Sequence, residues 1–146
     1  ILWCVWKGDP HWDDNQIWIA FGHLYKGGMW FKKLAKIAAD EGVTLEHMKV
    51  DNSEACPYGP GMSVSNYSIS TTSLTISEKQ NYFFLPAMGY YDAGGTLLGL
   101  GTEGRYWSSM FWPYPGYAHG IQFDKYQAKE TYYNHCNYGY MTIPFK

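Results

Sequence analysis

The chain has 146 residues, 46% of them hydrophobic and 16% charged, and its 11 Lys and Arg against 13 Asp and Glu leave a formal charge of −2. That length suits one domain able to bury about 68–70% of the surface of its unfolded chain, and the lack of basic excess argues against a nucleic-acid partner. No apolar run reaches the ~18 to 20 residues that cross a bilayer as a helix. Ile1 opens on a Trp-rich segment without the charged start and apolar stretch of a signal peptide. The chain therefore reads as a single unit over residues 1–146, the C-terminal part of a longer precursor.

Taken in chain order, Ile1 to Lys7 alternate loosely and are rich in Trp and Val, which predicts a strand, and Gly8, Asp9 and Pro10 supply turn chemistry. Asp13 or Asp14 then caps a first predicted helix in which Ile17, Phe21, Leu24 and Tyr25 share a face and Gly27-Gly28 forms the stop. A second helix places Phe31, Leu34, Ile37 and Ala38 on one face, with Lys32, Lys33, Lys36 and Asp40 elsewhere and Gly42 as its C-terminal stop. Helices are expected only in this first third. Asp51 to Asn66 reads as a loop and Ser73 to Ser77 as a strand. Tyr82 to Leu85, Arg105 to Ser108, Gly120 to Asp124 and Gly139 to Phe145 are further strands, with hairpin turns at Gly94-Gly95 and Gly99 to Gly104. Helices first and strands later predict an α+β domain, two helices in the first third and a strand-and-loop-rich C-terminal half.

Aromatic content is the anomaly. Trp 7, Tyr 14 and Phe 7 make 19% of the chain, and the polar tips of Tyr and Trp suit surfaces that grip a partner. Between Arg105 and Tyr140 lie twelve aromatic residues and only five charged ones, Arg105, Asp124, Lys125, Lys129 and Glu130. A thin pair of strands cannot bury so many rings, so some face outward. Tyr106, Trp107, Ile121 and Phe123, in strand contexts, are assigned to the core. The segment from Phe111 to Tyr117 holds Pro113, Pro115 and Gly116, which prevent regular pairing and stiffen a loop studded with rings.

The order Phe84-Leu85-Pro86-Ala87, Gly89-Tyr90, Gly95, Gly101, Gly104, Tyr106-Trp107-Ser108-Ser109, Gly120-Ile121-Gln122-Phe123 and Tyr138-Gly139-Tyr140-Met141-Thr142-Ile143 resembles the Fibrobacter succinogenes major paralogous domain, over about residues 82 to 146. That family is similar to C-type-lectin-like folds and is common in surface and secreted proteins of Bacteroidetes and their phages. It overlaps with the variable proteins of diversity-generating retroelements, which vary loop codons on a fixed scaffold. The resemblance implies a C-type-lectin-like fold and a secreted, cell-surface or virion location.

The candidate ligand-binding residues are Met110, Phe111, Trp112, Tyr114, Tyr117, His119, Tyr126, Tyr132, Tyr133, Asn134, His135 and Asn137. Rigid rings among small polar groups resemble an antibody paratope, and Tyr, Asn, His and Cys are reachable by changing the first two positions of an Asn codon. The partner read from this is an extracellular protein or glycan. The competing reading is structural: the aromatic face packs on another domain or subunit, or the chain self-associates.

Catalytic and metal chemistry find no constellation. The Glu-Pro-Asn or Gln-Pro-Asp loop and Trp-Asn-Asp strand of calcium-dependent lectins are missing, and Trp112-Pro113-Tyr114 has no carboxylate or amide beside its proline. His11, Asp13 and Asp14 read as a capping turn, His23 and His47 as isolated histidines. The Arg-Gly-Gly-Ser-Trp segment and catalytic cysteines of formylglycine-generating enzymes are missing too. Cys4, Cys56 and Cys136 are widely spaced, enough for one disulfide at most. No cofactor, metal or catalytic residue is expected, and a non-enzymatic domain is.

Overall fold

In the computed structural model, which describes residues 1–48, 63–108 and 115–142 without the side chains of Tyr132 and Tyr133, the chain opens with a helix, α1 (Leu2–Lys7), where Trp and Val pointed to a strand. Tertiary burial overrides β propensity here. Leu2, Trp3, Cys4 and Val5 are buried and join a core cluster with Ile37, Ala38 and Val64. Gly8 caps the end of the helix, where a Cβ would meet the Cys4 carbonyl oxygen at 1.8 Å, so glycine alone fits.

The expected helix after Asp13 is a hairpin, β2 (Ile17–Ala20) and β3 (His23–Lys26), preceded by the two-residue strand β1 (His11–Trp12). Ile17, Phe21, Leu24 and Tyr25 fit a helical period, but Ile17-Trp18-Ile19-Ala20 also alternates, and the turn decides between the two. Phe21 and Gly22 both take positive φ, 51° and 78°, the two-residue turn whose twist matches paired strands. Trp18 is buried, donates Nε1 to Gly27 O at 2.7 Å and stacks on Tyr25 at 5.0 Å. Asp13 does hold backbone N–H groups, those of Asn15 and Gln16 at 3.0 Å each, but in the turn entering the hairpin.

The second helix exists as α2 (Leu34–Glu41), shorter than expected because Phe31 belongs to β4 (Gly28–Lys32). Gly42 closes it in the left-handed region at φ 66°, as expected. Helices are not confined to the first third. Around Ser73 to Ser77 the strand expectation fails, since Thr75 and Glu78 form a reciprocal capping box that starts α3 (Ile76–Lys79). Of the expected loop from Asp51 to Asn66, Val64–Asn66 is strand β5, and residues 49–62 lie outside the described set.

The architecture is mixed α+β, mostly sheet with three short helices. A three-stranded sheet runs β1-β4-β6, with β6 at Tyr82–Pro86. A six-stranded sheet contains β7 (Met88–Tyr91), β8 (Leu97–Leu100), β9 (Glu103–Trp107), β10 (Tyr117–Asp124) and β11 (Gln127–His135) in the order β5-β11-β10-β9-β7-β8. Gly94-Gly95 lies in the β7–β8 hairpin as expected. Gly99 to Gly104 does not form one: β9 crosses to the far side of β7 and meets it in parallel at Gly89 and Gly104. In the described part of the expected closing strand, Gly139 and Met141 form isolated bridges, and residues 143–146 lie outside the described set.

The core fills the space between the two larger sheets. Met29, Phe31 and Leu85 come from one side, Tyr106, Ile121 and Phe123 from the other. Phe31 meets Phe123 edge-on at 5.7 Å, and Phe123 stacks on Tyr106 at 6.0 Å. Each such side chain contributes roughly 1.5–3 kcal/mol by leaving water.

Candidate functional site

Strand β9 sets the frame, because alternate residues of a strand point to opposite faces. Gly104 and Tyr106 turn into the core, so Glu103, Arg105 and Trp107 project from the outer face of the six-stranded sheet. This corrects the assignment of both Tyr106 and Trp107 to the core, since neighbours on one strand cannot share a face. On β10, Ile121 and Phe123 point inward while Gln122 and Asp124 point outward. Register then sets Lys129 opposite Gln122 and Gln127 opposite Asp124. These residues, with Glu103, Arg105 and Phe123, line an open pocket of about 270 Å³.

Arg105 joins the pocket to a group of rings. Its guanidinium carbon lies 3.5 Å from the centroid of the Tyr90 ring, Nε donates to Glu103 and Nη1 reaches the Tyr140 hydroxyl at 3.4 Å. Burial pulls the Arg105 pKa down, but the bonds to Glu103 and Tyr140 outweigh it and the group stays a firm cation. Tyr140 is buried and stacks on Trp107 at 4.3 Å. Burial raises its pKa against the pull of Arg105, so the phenol stays neutral.

The rings meet because residues 138–141 enter between β7 and β9. Gly139 and Tyr91 exchange backbone bonds of 2.9 Å in both directions, and Met141 donates to Arg105 O and accepts from Trp107 N–H at 3.0 Å each. Tyr138 and Tyr140 are thereby set 6.1 Å from Tyr90.

Asn134 ties this face to β10 and β11. Its Oδ1 accepts from Gln122 Nε2 at 2.6 Å, Thr131 Oγ1 at 2.9 Å and Tyr140 OH at 3.2 Å. Its Nδ2 donates to Ala118 O and Thr131 O at 3.2 and 2.8 Å. A shift in β10–β11 register between Ala118 and Gly120 opens the room for this hub.

The expected ligand residues divide into several places. Met110, Phe111, Trp112 and Tyr114 lie outside the described residues, as do the side chains of Tyr132 and Tyr133, whose backbone belongs to β11. Tyr117, half-buried, sits 4.7 Å from the ring of exposed His135, which lies 6.4 Å from Tyr138. Asn137 is exposed in the following turn. Tyr126 is 69% exposed but occupies the opposite end of the β10–β11 hairpin, about 25 Å away along eight residues of strand.

Two candidates are corrected. Asn134 is buried as the hub just described, and His119 is buried against the inner face, its Nδ1 2.7 Å from Glu130 Oε1. Burial pushes the Glu130 carboxyl pKa up while the bond to His119 pulls it down, with a net rise. Among the described residues, Glu130 Oε2 has no hydrogen-bond partner. Tyr90, Arg105, Gln122, Tyr138 and Tyr140 were missed. Alternation around Gly104-Arg105-Tyr106 was the one local signal that could have exposed Arg105.

Chemically, the outer face offers a fixed cation, carboxylates, amides and flat rings, suited to hydroxyl-rich or peptide surfaces. Cys4 is buried and Cys136 exposed, both as free thiols. Among the described residues no three or more His, Cys, Asp or Glu side chains gather to hold a metal, and no helix is long and apolar enough to cross a membrane. Compared with known proteins, the chain matches no family model, no curated protein and no solved structure.

Proposed function

We propose that this chain is a non-enzymatic ligand-binding domain of adhesin or receptor-binding type, C-type-lectin-like in fold, from a secreted, cell-surface or virion protein. Its partner is an extracellular protein or glycan. The observation that carries the reading is the clamp of Arg105 on Tyr90 beside Trp107, Tyr138 and Tyr140, at the edge of a polar pocket. Rings already held by stacking lose little conformational freedom on binding, and Tyr-rich faces bind protein and sugar on that account. Tyr117 and His135 continue the face from Tyr138.

The test is an amide NMR titration of the labelled domain with galactose-, mannose- and N-acetylglucosamine-terminated oligosaccharides, alongside a panel of immobilised extracellular matrix proteins. Binding should perturb Tyr90, Trp107, Gln122 and Tyr138, and Tyr138→Ala should weaken it while the melting temperature changes little. A ligand that perturbs only residues remote from this face refutes the assignment. A chain whose aromatic face is covered in a concentration-independent oligomer makes it an assembly surface.

A further inference from the structure

The β2–β3 hairpin carries an apolar face with no cover among the described residues. Its register sets Ile17 opposite Lys26, Trp18 opposite Tyr25, Ile19 opposite Leu24 and Ala20 opposite His23. Trp18 and Tyr25 share the inner face, which docks through Trp18 on Gly27. Ile17, Ile19, Leu24 and Lys26 share the outer one. There Ile17 is 54%, Ile19 73% and Leu24 71% exposed, and Phe21 at the turn 58%. At about 200 Å² for a fully open residue of this size, roughly 500 Å² of mostly apolar surface faces water on one small hairpin, in the range of patches that mark contacts.

We infer that this outer face is a contact between two copies of the chain, their hairpins stacked face to face and antiparallel about a twofold axis. Charge placement selects a second copy. Lys26 stands at the base of the hairpin and Phe21 at its tip, so antiparallel stacking sets each lysine over the other protomer's ring, a cation–π pairing. The area agrees, since two such faces remove about 1,000 Å², where specific interfaces begin. An anionic bilayer is the weaker occupant: one exposed cation on this face, in a chain of net charge −2, gives such a surface little electrostatic hold.

Sedimentation velocity of the whole chain, from about 1 to about 200 µM, tests the contact, and a reversible, concentration-dependent monomer–dimer equilibrium is expected within that range, because an interface at the small end is weak. Ile19 lies midway between base and tip, near the axis, so Ile19→Glu and Ile19→Lys should each weaken the dimer at least about a hundredfold with circular dichroism unchanged, and an equimolar mixture of the two should restore it. Leu24→Glu repeats the comparison at the paired position. A wild-type chain that stays monomeric over this range overturns the inference, as do variants that dimerise like wild type. So does a monomer that instead binds phosphatidylcholine or phosphatidylserine vesicles through Phe21 and Leu24.

Discussion

Replacing Asn134 with Ala separates a structural hub from a ligand contact. The substitution removes three bonds accepted by Oδ1, from Gln122, Thr131 and Tyr140, and two donated by Nδ2, to Ala118 O and Thr131 O. A protein hydrogen bond is worth a net ~0.5–1.5 kcal/mol, and an orphaned buried group costs about 1–3. Gln122 and Thr131 are only half-buried and regain water, so the lower values apply to them, whereas Tyr140 is buried. The expected loss is about 3 kcal/mol, or a fall of roughly 6–12 °C in melting temperature for a domain of this length. Urea denaturation followed by Trp fluorescence measures it, with exposed Asn137→Ala as the neutral control. If Asn134→Ala unfolds within about 0.5 kcal/mol of wild type, as surface substitutions do, the hub is wrong and Asn134 returns to the open surface.

Other variants probe the packing and the ionisable groups. Because the Glu130 carboxyl titrates above its ordinary range in the fold, its contribution to stability is full at pH below the unfolded carboxyl value and is lost as pH rises through the folded one. The melting temperature of Glu130→Gln relative to wild type should therefore climb from pH 4 to pH 7, and parallel profiles exclude the raised value. For Asp13, burial pushes the pKa up, but backbone bonds from Asn15 and Gln16, the Trp30 indole and Lys79 bring it below the ordinary value. Asp13→Asn should lose most stability at neutral pH and converge on wild type in acid, which thermal melts from pH 2 to pH 7 would detect. At Gly104 a Cβ would meet the Phe123 ring at 2.2 Å, so Gly104→Ala should cost about 1–3 kcal/mol by overpacking, and an unfolding midpoint equal to that of wild type would refute it. Cys136 should react with a thiol reagent in the native state and Cys4 only on unfolding, because burial shields Cys4 and raises its pKa. Peptide mapping that finds both labelled at equal rates refutes this placement.

Strands whose apolar residues face a core were legible from the sequence: Tyr82 to Leu85 and Gly120 to Asp124 lie on observed strands, as does Arg105 to Ser108 except for Ser108 itself, and Gly42 ends a helix as its spacing implied. The hairpin at Ile17 to Lys26 was misread because periodicity reports which residues are apolar, not which of them face water. Here the isoleucines point outward. At α1 the Trp and Val content favoured a strand, and contacts with β5, α2, β4 and β11 make a helix the better burial. The ligand face was half legible. An aromatic-rich C-terminal third was plain, but Tyr90 and Arg105 meet only through the parallel β7–β9 pairing, and Tyr140 reaches Trp107 only through the insertion of residues 138–141. Those contacts have no local sequence signature.

Strand β5 stitches the two ends of the chain together. It pairs with β11 near the C-terminal end, while Asn66 donates to Val5 O across 61 residues toward the other end. Such distant partners make loop closure the slow step. During synthesis α1 can meet β4, α2 and β5 early, but β5 gains its sheet partner only once β11 is made, so the six-stranded sheet is completed late. A chain stalled before Gln127 would hold an unfinished sheet edge, the kind of intermediate that chaperones retain.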